Sequence, residues 1–128
     1  MKYTHKITGT AVTIVLSAEV MDLLTAVQSR QLAIKAEPYL RRLADRGKYG
    51  MASDSRFRNE GKGIWALKPQ PIRIYGWFDG PGEHFFVAAV AIKKEKRRMD
   101  TGDFEKTCKL RETFRRDTDA LNLSELEE

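Results

Sequence analysis

Three side chains in one short stretch could do chemistry together. In Ile72-Arg73-Ile74-Tyr75-Gly76-Trp77-Phe78 an arginine, a tyrosine and a tryptophan stand at alternate positions. Side chains along a strand alternate between its faces, so a strand here sends Ile72, Ile74, Gly76 and Phe78 one way and Arg73, Tyr75 and Trp77 the other. A guanidinium pairs with phosphate, and flat rings stack on unpaired bases; together these are the elements of single-stranded RNA binding. The competing reading is an amphipathic strand whose second face packs under the C-terminal segment.

Further cations surround this stretch. In "AIKKEKRRMD", residues 91–100, an apolar run ends in five cations within six residues: Lys93, Lys94, Lys96, Arg97 and Arg98. Lys93 and Lys94 face opposite ways on a strand, so one shares a face with Arg73 if the register permits. Lys68 closes the apolar "IWALK", and Arg56 and Arg58 lie in the glycine-punctuated segment 47–63. The basic run also fits a solvated loop, and its "KKEKRR" fits a nuclear-import pattern, which requires exposed, pliable chain.

The charge distribution extends the same theme. The 128 residues carry +5, but the last twelve hold five acids and no base, so residues 1–116 carry all 23 Lys and Arg against 13 acids, or +10. That excess favours an anionic partner, most often nucleic acid, although it also serves solubility. Cys108 is the only cysteine, which excludes an internal disulfide and fits a reducing compartment. No apolar run approaches the roughly 20 residues of a membrane span. No secretory signal is read at the N-terminus, so the expected location is the cytoplasm. HExxH, CxxC, GxSxG and a glycine-rich phosphate loop are all missing, and no cofactor or metal is expected. His5 and His84 read as solvated or structurally bonded imidazoles.

The elements that position these groups follow from pattern. Residues 10–16 are rich in β-branched types and predict a first strand. Ser17 caps a helix carrying Val20, Leu23, Leu24 and Val27 on one face. A second helical stretch carries Leu32, Ala36, Leu40 and Leu43, with a restart at Pro38 and an end at Gly47. Residues 47–63 show no sustained period and read as a long loop. Strands at 64–68, 72–78 and 84–93 follow, joined by turn residues into an antiparallel meander, the last apolar at nearly every position and therefore central. A final helix starts near Thr101 with Asp100 and Asp103 at its positive end. It turns Phe104, Thr107, Cys108, Leu110 and Phe114 inward, which makes Cys108 a core thiol. Residues 1–128 read as one domain, with 119–128 an acidic tail.

This order of elements, with "YLRRLADRG" closing the hairpin, "GKGIWALKP" entering the sheet, then "IRIYGWF" and "AIKKEKR", resembles the RelE/HigB superfamily of bacterial and phage toxins across roughly residues 10–116. The resemblance implies an α+β, RelE-like fold: an N-terminal strand and helical hairpin, then a three-stranded antiparallel meander and a C-terminal helix. It also implies a metal-independent endoribonuclease that cuts ribosome-bound messenger RNA, needs no cofactor and is neutralised by a cognate antitoxin. By position, Arg73 matches the family's strand arginine, Lys94 the basic residue closing the next strand, and Lys68 a basic residue near the preceding one. Where the family commonly has a tyrosine past the basic pair, this chain has Arg97, Arg98, Met99 and Asp100, which leaves Tyr75 or Asp100 as proton carriers. Lys93, Lys96, Arg97, Arg98, Trp77, Arg56 and Arg58 would hold the RNA. The alternative is a non-catalytic RNA- or ribosome-binding module of the same fold.

Overall fold

Ser17 joins the end of the first buried strand to the start of the first helix. Its Oγ accepts a hydrogen bond from the Val20 amide at 3.2 Å, the expected cap, and donates one of 2.7 Å to the Ala89 carbonyl. The computed structural model describes residues 3–25, 30–51, 53–68, 72–93 and 101–117. Its elements are β1 (Tyr3–Thr8), β2 (Thr13–Ser17), α1 (Ala18–Thr25), α2 (Arg30–Gly50), β3 (Phe57–Gly61), β4 (Ile64–Leu67), β5 (Ile72–Asp79), a 3-10 turn (Pro81–Glu83), β6 (Phe85–Lys93) and α3 (Thr101–Asp117).

The strands form one mixed sheet in the order β1-β2-β6-β5-β4-β3. β2 and β6 are parallel, with Thr13 opposite Phe85, and the other neighbours are antiparallel. The meander of β4, β5 and β6 is as expected, and β6 is central, which is why nearly every residue of it is apolar. Each face of the sheet carries its own core. Val20, Leu40 and Leu43 of α1 and α2 pack with Ile14, Leu16, Ile72, Ile74, Phe78 and Phe86 on one face. On the other, Phe104, Cys108, Leu110 and Phe114 of α3 pack with Val15, Ile64, Ala66, Tyr75, Trp77 and Val87.

Several expectations are corrected. The chain is α+β, but its sheet has six strands where four were expected. β1 lies N-terminal to the expected first strand, which begins at Thr13 and not at residue 10, because the Ala11 and Val12 amides both bond to the Ala44 carbonyl of α2. β3 occupies part of the presumed loop 47–63 and buries only Phe57, so its period was too weak to read. α2 runs through Pro38 without a restart. A proline forfeits one helical hydrogen bond, and here the packing of Ala36, Leu40 and Leu43 outweighs that loss. Gly47 does break the helix, with φ 70° and ψ −174°.

Candidate functional site

The alternation read in β5 is present. Ile72, Ile74 and Phe78 belong to the α1–α2 core, and Tyr75 and Trp77 to the α3 core. A β-bulge after Tyr75 shifts the pairing with β6 from Val90 to Ala88. Gly76 sits at this shift, where a Cβ would lie 2.0 Å from the Val87 carbonyl oxygen, so only glycine lets the two strands approach. Arg73, Tyr75 and Trp77 are all 0% exposed.

Their surroundings divide them. The Trp77 indole donates to Asp79 Oδ2 at 2.9 Å, and the Phe114 ring meets it edge-on at 5.7 Å. Arg115 of α3 binds the same carboxylate oxygen at 3.0 Å. Trp77 is thus a core ring, with its polar atom paired and its faces in the packing, not a free platform for a base. Arg73 and Tyr75 lie toward the start of α3, where the chemistry is polar. Burial pushes the Tyr75 phenol above its ordinary 10.0; the neighbouring Arg73 guanidinium pulls the other way, and the charges of Asp103 and Glu60 add to the rise. Glu60 in turn pairs with Lys68, and less than a fifth of either side chain is exposed. Lys68, Glu60, Arg73, Tyr75 and Asp103 therefore form one polar group at the α3 face, drawn from β3, the end of β4, β5 and α3.

This group contains three of the candidate catalytic residues, Lys68, Arg73 and Tyr75. Lys94 and Asp100, like the candidate RNA contacts Lys96, Arg97 and Arg98, lie outside the described residues. Lys93 closes β6 opposite Ile72, and Ile92 is the register partner of Arg73. Arg56 and Arg58 are exposed, and Arg58 lies in register with Ala66 and, across it, with Tyr75. Arg56 stands 5.2 Å from the centre of the Tyr39 ring, as does Arg42, which also pairs with Asp54. Glu60 and Asp103 are the residues sequence reasoning missed as site components. Asp103 carries a sequence signal only as a charge at a helix start, and Glu60 carries none, because its position depends on how β3 pairs.

α3 is fastened over this face along its length. Lys106 binds Glu19 at 2.6 Å, and Arg111 donates to the Lys62 carbonyl in the β3–β4 turn. Glu19 also accepts the Ala91 amide at 3.2 Å, tying α1 and α3 to β6. Among the described residues no cluster of His, Cys, Asp or Glu is arranged to hold a metal ion, and no helix is long and apolar enough to cross a membrane.

No protein-family model matches this chain, and no curated protein does either. The class that fold and site define is an α+β protein with a mixed six-stranded sheet and a covered cationic, phenolic and carboxylate group beneath its last helix.

Proposed function

We propose that the chain is an RNA-cleaving protein of the RelE/HigB type, with the RelE-like arrangement built around β2, α1, α2, the β4–β6 meander and α3. Its substrate is ribosome-bound messenger RNA, and a cognate antitoxin restrains it in the cytoplasm. The observation that carries this reading is the convergence of Lys68, Arg73 and Tyr75 with two carboxylates. An arginine at zero exposure costs desolvation that a packed apolar residue would not. Its retention beside a phenol and an acid–base pair is what a charge-handling site requires.

Metal-free cleavage proceeds by attack of a ribose 2′-oxygen on the adjacent phosphorus. The new P–O2′ bond forms as the P–O5′ bond breaks, leaving a cyclic phosphate and a 5′-hydroxyl. Glu60 accepts the 2′-proton, and Lys68 holds it in place. Arg73, always charged and forked, neutralises the phosphoryl oxygens. Tyr75, kept protonated by burial, returns a proton to the leaving oxygen. Because Arg73 and Tyr75 are fully covered, a phosphate reaches them only when their cover, of which α3 is part, moves aside.

The test is single-turnover cleavage of ribosome-bound and free RNA, with chain-induced growth arrest as the cellular readout. Arg73→Ala should lower the rate by on the order of a hundredfold with little change in affinity, and Arg73→Lys should not restore it. A soluble, folded chain that cuts neither substrate sinks the enzyme. The complete burial of Arg73 and Tyr75 would then favour the second reading, a module that binds RNA or ribosome without cutting.

A further inference from the structure

β3 is the outermost strand beside β4, and its two faces serve different neighbours. Phe57 and Asn59 pair across to Leu67 and Trp65, which belong to the α1–α2 side, whereas Arg58 pairs with Ala66 of the α3 side. Glu60, the next residue, is ion-paired with Lys68. On the α1–α2 side, β3 borders a cleft of about 440 Å³ lined by Ser53, Asp54, Ser55, Phe57, Arg58, Asn59 and Trp65. Phe57 and Trp65 stack within it at 4.8 Å and 17°.

The lining is selective in its chemistry. Asn59 Oδ1 accepts the Gly61 amide at 2.9 Å, which orients the carboxamide and leaves its amino end, with two hydrogens, as the donor. The one acid in the lining, Asp54, is engaged by the Arg56 amide at 2.9 Å and by Arg42. The cleft thus presents the half-buried Trp65 ring, backed by the buried Phe57, with a carboxamide donor and two hydroxyls, and Arg58, whose register sets it toward the α3 side, borders it at the strand edge. A flat ring with carbonyl acceptors and an attached phosphate satisfies all of them, and an unpaired nucleotide has that composition. Consecutive strand residues stand about 3.3 Å apart, so Asn59 in the cleft and Glu60 beside the buried cations are one step from each other along the sheet's lip.

We propose that this cleft seats the base of a nucleotide neighbouring the scissile phosphate of single-stranded RNA, so that the RNA crosses the β3 edge with Arg58 at the crossing. The inference rests on the RNA-cleaving reading for its substrate, but it is read out by binding alone. Trp65 and Trp77 are the only tryptophans, so the two indole N–H signals of an NMR spectrum report the cleft and the core separately. Titration with a non-cleavable 2′-O-methyl hexanucleotide of mixed sequence should move the Trp65 signal to saturation and leave Trp77 in place. Asn59→Asp keeps an oxygen for the Gly61 amide but removes the donor, and should weaken binding by about fivefold or more, the scale of one hydrogen bond. In cleavage assays it should alter base preference and KM while kcat stands. A silent Trp65, or an equal shift with inorganic polyphosphate, overturns the cleft as a base site. Binding through Trp65 by a chain that cuts no RNA would leave the cleft standing and remove the nuclease; cleavage with Trp65 silent would do the reverse.

Discussion

Burial keeps two tyrosines of this chain protonated past the pH at which an exposed phenol ionises. Tyr3, packed edge-on against Phe114 at 5.0 Å, is raised to about 12, and Tyr75 is raised by its own burial. The folded chain therefore holds protons that the unfolded chain gives up near about pH 10. Their stabilising contribution is full below that pH and is lost as pH rises through the window up to about 12. Urea midpoints should be level around neutrality and fall steeply above about pH 10, and Tyr3→Phe should flatten the fall. A wild-type midpoint constant across that window would contradict the burial of both phenols.

α3 both completes the second core and covers the polar group, so its anchors serve stability and access together. Phe114 contacts Tyr3 and Trp77, and Phe114→Ala should cost about 3–5 kcal/mol and shift Trp77 emission to the red. An unchanged spectrum and unfolding midpoint would show that α3 does not depend on this ring. The helix itself was legible in the sequence: its start near Thr101 and its inward stripe are as read, because a 3.6-residue period and an acidic first turn are local signals. The Ser17 cap was legible for the same reason. β3 was not, since an edge strand needs only one buried side chain and its glycines resemble those of a loop. The shared side of Arg73, Tyr75 and Trp77 could be read from strand alternation, and the competing reading, in which that side packs under the C-terminal segment, is the arrangement seen, with α3 over it. A strand's own period names its faces and says nothing of what covers them. Glu60 joins the group through pairing in β3 and β4, a non-local fact that no short window contains.

For the whole molecule, charge is the property that acts beyond contact distance. The chain's +5 combines a +10 body with an acidic end, and association with RNA should be salt-dependent throughout. Replacing Lys96, Arg97 and Arg98 with alanine should weaken RNA binding and shrink the slope of log affinity against log salt by about one unit for each phosphate that is no longer neutralised. Cleavage at saturating RNA should persist. If the slope is unchanged while the rate falls, the basic run belongs to the chemistry and not to docking.

The parallel pairing of β2 with β6 also sets an order on synthesis. Ser17 closes its bond to a residue 72 positions later, and β2 has only β1 beside it until β6 arrives. A chain leaving the ribosome thus exposes Ile14, Val15 and Leu16 along an open strand while its helices and then the meander are made. No product ending before β6 can close the sheet, so the molecule gains its core, and any activity housed under α3, only after β6 and α3 have been made. In stalled chains ending before β6 the β2 amides that bond to β6 should exchange freely with solvent, and in chains extending through α3 they should be protected.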